Sequence, residues 1–178
     1  MKLSGDLSRV VIASERLTLR SWDPDDAAES FAEGNAEIAR FMSWNPPTSG
    51  QELEAATETW LRDMRAGEDL QLTIRLSETG EFIGRSGLHA AEGTLLETGI
   101  WIKPSAQRSG YGSETVAAVI KWGSERFRPS GFLYPVVDEN TPSCRLAEKL
   151  GGEVIGTRQR QKPGDVMRRM LLYRIPSV

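Results

Sequence analysis

Gln107-Arg108-Ser109-Gly110-Tyr111-Gly112 joins an apolar, strand-like run, Leu95 to Lys103, to an amphipathic run, Gly110 to Phe127, with Val116, Val119, Ile120 and Phe127 on one face at helical spacing. Glycine lets the main chain approach a ligand closely. The first amides of a helix have no acceptor inside it and sit at the positive end of its dipole, so this loop reads as an anion site whose natural guest is a phosphate. A Gly-x-Gly pair also marks ordinary steric turns. Two standard nucleotide motifs are excluded. No Gly-Lys-Ser/Thr follows, and Thr115 stands where the dinucleotide fingerprint needs its third glycine.

Outward from the loop, Phe132 to Asp138 follows Pro129-Ser130-Gly131 and reads as a strand. Thr141-Pro142 opens a helix carrying Leu146 and Leu150, which Gly151-Gly152 ends. Two strands, Glu153 to Arg160 and Val166 to Ile175, are predicted around the turn Lys162-Pro163-Gly164-Asp165. Upstream, Leu70 to Leu76, Glu81 to Leu88 and Leu95 to Lys103 are separated by turn-rich Ser77-Glu78-Thr79-Gly80 and Ala91-Glu92-Gly93-Thr94, which predicts an antiparallel meander. Ser49-Gly50-Gln51-Glu52 is a capping box leading into Leu53, Ala56, Trp60 and Met64, with an end near Gly67. Pro24 opens an earlier helix, and Val10 to Arg20 reads as a first strand kinked near Ser14. The sum is an α+β chain with a mixed sheet.

Composition bounds the function. At roughly 150 residues per domain, 178 residues make one domain spanning 1–178 the expectation, and 39% hydrophobic with 26% charged residues is ordinary globular usage. A net charge of −3 gives no electrostatic reason to bind duplex DNA. One cysteine, Cys144, forms no internal disulfide, and with one histidine, His89, no structural zinc set and no metal site is expected. No apolar run approaches the roughly 18 residues of a membrane helix, and none follows Met1 as a signal peptide would; a cytoplasmic protein is expected, with no membrane partner.

The loop has the form Gln/Arg-x-x-Gly-x-Gly/Ala and resembles the pyrophosphate loop of the GNAT superfamily of acyl-CoA-dependent N-acyltransferases. Other stretches, in family order, look like its RimJ/RimL-type branch: Glu15-Arg16-Leu17-Thr18-Leu19-Arg20 with Trp22, Phe82-Ile83-Gly84, Glu97-x-Gly99-Ile100-Trp101-Ile102, and Asn140-x-x-Ser143 before Glu148-Lys149-Leu150-Gly151. The resemblance implies a GNAT fold: a mostly antiparallel sheet of six to seven strands, helices on both faces, and a splay between the fourth and fifth strands. It implies acetyl-CoA as cosubstrate and a primary amine, on a protein N-terminus or a small molecule, as acceptor. Gln107, Arg108, Ser109, Gly110, Tyr111, Gly112 and Ser113 would hold the pyrophosphate. The main chain of Ile100, Trp101 and Ile102, with Asn140, would hold the pantetheine arm, and Ser143 would hydrogen-bond the leaving thiolate. Pro135, lacking an N–H, suits a strand whose ladder opens. Dimers are frequent among such proteins, so a homodimer is among the expected states.

Acyl transfer needs a neutral amine, an electrophilic thioester carbonyl and a proton for the thiolate. Glu97 shares a strand face with Gly99 and Trp101, which makes it the candidate base on the acceptor side; the alternative is an exposed strand carboxylate. For Ser143 the alternative is a helix-start serine satisfying free amides. Trp44, beside Asn45-Pro46-Pro47, reads as an acceptor wall or as a satellite core residue. His89 reads as a solvated residue at a loop edge. Arg158, Arg160, Lys162, Arg168 and Arg169 read as a solvated basic face, with an acidic acceptor or the ribosome as the functional alternative. Three features depart from the family: Ala147 replaces the usual tyrosine acid, Arg158 to Lys162 holds no carboxylate, and Gly152 in place of an aromatic residue should loosen its turn. Cys144 has no neighbouring histidine to activate it, so direct attack is expected. The competing reading is a catalytically silent acyl-CoA-binding or regulatory protein of the same fold.

Overall fold

The computed structural model describes residues 1–34, 36–42, 45, 47–161 and 167–178. Its strands are β1 (Val11–Ala13), β2 (Leu17–Ser21), β3 (Asp69–Leu76), β4 (Phe82–Ala90), β5 (Leu95–Ile102), β6 (Gly131–Val137), β7 (Glu153–Arg160) and β8 (Arg168–Ile175). The helices are α1 (Ala27–Glu33), α2 (Ala36–Phe41), α3 (Gly50–Ala66), α4 (Tyr111–Phe127) and α5 (Thr141–Lys149). All eight strands form one sheet in the order β1-β2-β3-β4-β5-β6-β8-β7, antiparallel except at β5–β6. The predicted Lys162 to Asp165 turn and position Val166 lie outside the described residues.

The kinked first strand resolves into a hairpin. Val11 pairs with Arg20 and Ala13 with Thr18, and the Ser14 amide donates to Leu17 O at 2.9 Å to close the turn. That hairpin raises the strand count among the described residues to eight, so the expected splay between the strands at 95–103 and 132–138 is the one between β5 and β6. Ser49 Oγ accepts from the Glu52 amide at the start of α3, but the Glu52 carboxylate turns outward to Thr48, so half of the expected capping box forms.

Period-two alternation divides the sheet chemically. Leu70, Leu72, Ile74, Leu88, Leu96 and Phe132 are fully buried or nearly so, and Phe132 and Leu88 meet α4 at Gly123. On the opposite face, residues of β3 and β4 meet α3, where Trp22 and Trp60 stack edge-to-face at 5.3 Å. Asp26, fully buried there, accepts from Arg20 (2.5 Å), Arg75 (2.9 Å) and Thr73 (2.7 Å), which fixes the α1 side of that face to β2 and β3. A buried carboxylate needs such donors to offset lost hydration.

Gly152 does not loosen the end of α5. Its amide donates to Ala147 O at 2.8 Å, and a Cβ there would lie 2.7 Å from that same oxygen, so only glycine fits this close approach.

Candidate active site

The loop 107–112 is held at both ends. Gln107 Nε2 donates to Ile102 O at 2.9 Å, and Gly110 takes the left-handed conformation, φ +84°, that turns the chain into α4. The first intrahelical bond runs from the Glu114 amide to Gly110 O, so the amides of Tyr111, Gly112 and Ser113 have no acceptor within the helix, and glycine has no side chain to cap them. Arg16, beyond the reach of local spacing arguments, organises this corner. It donates through Nη1 to Ser109 O (3.0 Å) and through Nε to Glu114 (2.7 Å), and its guanidinium lies 4.6 Å over the Tyr111 ring. Burial raises the Glu114 pKa, but donors from Ser14 and Arg16 outweigh it and hold the carboxyl below its ordinary value.

β5 and β6 pair only over Leu95–Glu97 and Gly131–Leu133. Beyond that they separate, two residues before Pro135, and the main chain of Ile100, Trp101 and Ile102 has no β6 partner while still pairing with β4. A cavity of about 1290 Å³ opens at this gap and reaches both faces of the sheet. That exceeds the about 300–1,000 Å³ of a single small-molecule site and suits two cosubstrates. Gln107, Arg108, Gly110, Tyr111, Gly112 and Ser113 contribute to its wall; Ser109 does not, its carbonyl being turned to Arg16.

Asn140 and Ser143 line the same wall. Asn140 caps α5, its Oδ1 accepting from the Ser143 amide at 3.3 Å, so the capping task falls to the asparagine. The Ser143 hydroxyl is directed elsewhere, to the phenol of Tyr134 on β6 at 2.9 Å. Tyr134 is 2% exposed, and burial pushes its pKa up to about 12 against the opposing effect of the Ser143 bond. It therefore stays protonated at neutral pH. Sequence reasoning missed Tyr134 because a strand tyrosine reads as core. Cys144 beside it is buried with a raised thiol pKa, the wrong direction for a nucleophile.

On the other face Glu97 lines the cavity and pairs in register with His89 across β4–β5. Arg158 of β7 lies 4.0 Å from the Glu97 carboxylate. His89 is no solvated loop residue: it stands within β4, lines the cavity, and its Nδ1 meets the Asp69 carboxylate of β3. Its Nε2 leans inward over Gly87, 2.6 Å from where a Cβ would stand. Burial lowers the His89 pKa, but Asp69, with a smaller contribution from Glu97, wins and leaves it above 6.5. An imidazole oriented by a carboxylate at one nitrogen and open at the other has the geometry of a general base. The signal was faint in sequence: Asp69 and His89 become neighbours only through the β3–β4 register.

The basic residues of the last hairpin are largely engaged. Arg160 donates to Met42 O at 2.7 Å, Arg168 pairs with Glu139 and Arg169 with Asp138. Trp44 and Lys162 lie outside the described residues. Among the described residues no group of His, Cys, Asp and Glu is arranged to hold a metal ion, and no helix is long and apolar enough to cross a membrane.

Residues 16–153 match the family described as acetyltransferase (GNAT) domain. An uncharacterized N-acetyltransferase, YoaA, of Bacillus subtilis (strain 168) is 27% identical over 144 residues, covering 79% of this chain and 81% of that protein. An N-acetyltransferase 9-like protein of Caenorhabditis elegans is 26% identical over 174 residues, covering 88% and 83%. The fold is that of an acetyl transferase from Salmonella typhimurium described as modifying the N-terminal serine of 50S ribosomal subunit protein L7/L12: TM-score 0.82 at 18% identity, covering 95% of this chain and 100% of that one. With the family pattern running from the turn of the first hairpin to the start of β7, and the helix-capped loop and splayed strands in place, this chain belongs to the GNAT acetyltransferase family.

Proposed function

We propose that this protein, acting as one domain, transfers an acetyl group from acetyl-CoA to a primary amine by direct attack, as a member of the RimJ/RimL-type branch. The observation that carries the reading is the opening between β5 and β6, which joins the loop and Ser143 on the α4–α5 side to Glu97 and His89 on the α3 side. A pyrophosphate fits the free amides of Tyr111 to Ser113, and the unpaired main chain of Ile100 to Ile102 offers partners for the pantetheine amides.

In the reaction, the amine nitrogen bonds to the thioester carbonyl carbon and the carbon–sulfur bond breaks. The Ser143 hydroxyl, backed by the Tyr134 phenol at 2.9 Å, hydrogen-bonds the departing sulfur, which takes the second proton of the attacking nitrogen through solvent in the cavity. Glu97 attracts the incoming ammonium group, and the proton leaves at His89 Nε2 in its neutral form. An α-amine, with a pKa near about 8, is easier to use this way than a lysine near about 10.4, because more of it is neutral at pH 7.

The test is release of free thiol from acetyl-CoA across a panel of peptide N-termini, amino acids, polyamines and aminoglycosides. Turnover with an amine of the panel, with the acetylated amine identified by mass, supports the reading. Tight acetyl-CoA binding with no turnover of any amine would instead identify a silent acyl-CoA-binding protein.

A further inference from the structure

On the α3 face of the sheet, Arg85 of β4 is 5% exposed and borders the cavity. Its guanidinium carbon lies 4.1 Å from the Trp22 ring and 4.2 Å from the Trp60 ring, which fixes its position. What it lacks is an anion. Nη2 donates to Gln71 Oε1 at 3.1 Å, a neutral acceptor; Nε is buried with no partner; and Nη1 has no acceptor among the described residues. The acidic groups that act on it, Asp26 and Asp69, do so only through space. Asp26 is taken by Arg20, Arg75 and Thr73, and Asp69 by His89 and Gln71. A buried cation without a hydrogen-bonded anion is costly, and a planar fork is the natural receptor of a carboxylate.

The surroundings point the same way. Gln71 accepts from Arg85 and donates to Asp69 Oδ2 at 2.7 Å, and Asp69 Oδ1 meets His89 Nδ1, so a hydrogen-bonded chain runs from Arg85 to His89 along one face. Between its ends the floor is Gly87 and Gly99, paired in register, with nothing within 4 Å of a Cβ at Gly99. The Arg85 and His89 Cα atoms are four strand residues, about 13 Å, apart. Both polar heads lie nearer than that, because His89 leans over Gly87 and Arg85 reaches Gln71, the β3 residue in register with Gly87.

We propose that the acceptor amine also carries a carboxylate, which Arg85 receives while the amine rests over Gly87 and Gly99 between His89 and Glu97. The inference rests on the transferase reading above and narrows its substrate class. The carboxylate belongs either to a free amino acid or to an acidic first residue of a peptide. The contact runs through the Nη edge, since Nε is covered.

The test compares pairs that differ only by carboxylate against carboxamide, titrated calorimetrically into CoA-saturated protein: leucine and leucinamide, glutamate and glutamine, Asp-Ala-Ala-amide and Asn-Ala-Ala-amide. We expect the acid of at least one pair to bind about tenfold or more tightly, as a charge-assisted bond to a buried cation requires. Preference within the amino-acid pairs assigns the carboxylate to a free amino acid; preference within the peptide pair assigns it to a protein N-terminus. Arg85→Met, which keeps the stack between Trp22 and Trp60, should bring every pair to within about twofold while acetyl-CoA affinity is retained. Equal binding within every wild-type pair overturns the proposal, as does a preference that survives Arg85→Met. If Arg85→Met does not fold, Arg85→Lys replaces it, keeping the charge and losing the fork, and a reduced preference is expected; an unchanged one overturns the proposal. Thiol release measured on the same compounds separates the two levels. A carboxylate preference in binding with no turnover sinks the transferase reading alone, whereas turnover of amines without preference sinks only this one.

Discussion

The phenol of Tyr134 and the hydroxyl of Ser143 lie 2.9 Å apart and tie β6 to the first turn of α5 at the cavity wall. Because Asn140 caps the helix, the Ser143 hydroxyl is free of that duty, and because Tyr134 stays protonated it can donate to the Ser143 oxygen while Ser143 donates to the departing sulfur. Ser143→Ala should lower turnover about tenfold to a thousandfold, the range of one positioned donor, with acetyl-CoA affinity little changed. Tyr134→Phe should lower turnover less, and adding it to Ser143→Ala should cost little more, since the two hydroxyls act in series. Additive losses in the double variant would separate them.

Gly110 is left-handed at φ +84°, so Gly110→Ala carries strain of about 1 kcal/mol and should lower Tm by roughly 2–4 °C. Gly112→Val acts differently. A Cβ at Gly112 stands 3.2 Å from Leu146 and 4.0 Å from Ile100, so valine presses α4 away from α5 and crowds the free amides. It should abolish the thermal stabilisation that acetyl-CoA confers and lower the apo Tm modestly. Full ligand stabilisation in Gly112→Val would contradict the phosphate role of the loop.

Arg16 touches the loop through Ser109 O and the Tyr111 ring while its other donors engage Glu114. Arg16→Ala should weaken acetyl-CoA binding several-fold and leave the pH 7 fold intact, because an exposed ion pair contributes only about 0–1 kcal/mol. The Glu114 pKa is depressed, so its contribution is present above the unfolded value of 4.5 and fades as pH falls through the lowered one. Acid unfolding monitored between pH 5 and 2 should accordingly begin at higher pH in Glu114→Gln.

With one histidine in the chain, a single imidazole resonance reports on His89. Its midpoint should lie above 6.5 in the wild type and below 6.5 in Asp69→Asn, where burial acts with its principal opponent removed. The linkage follows in sign. A raised histidine stabilises the fold below its unfolded pKa and ceases to as pH rises through the folded one, while the lowered Asp69 stabilises above 3.8 and is lost as pH falls through its own folded value. The acidic limb of the rate profile should move to lower pH in Asp69→Asn, with a smaller maximum because the imidazole loses its orienting partner. A midpoint that does not move would leave His89 outside the base side of the site.

What could be read from the sequence was local. Gly110 at a strand-to-helix junction, the 3.6-residue spacing of Val116, Val119, Ile120 and Phe127, and Pro135, which has no N–H to give to a ladder, depend on the residue itself or on neighbours along the chain, and local spacing carries that information. The family followed from the order of such pieces. The first hairpin reads in the sequence as one kinked strand, because Val11 and Arg20 look like parts of a single run until they pair. The polar contacts of the site were closed to sequence reasoning for the same reason. Arg16 and Glu114 are 98 residues apart, and Tyr134 meets Ser143 only once β6 and α5 dock. Asp69, Gln71, Arg85 and His89 become one hydrogen-bonded chain only through the β3–β4 register, since a slip of one residue would turn half of them to the α4 side. Local residue order determined the helices other than α2, most of the strands and the anion loop. Sheet register and helix docking decided which side chains share the cavity, because a hydrogen bond depends on separation in space and not along the chain.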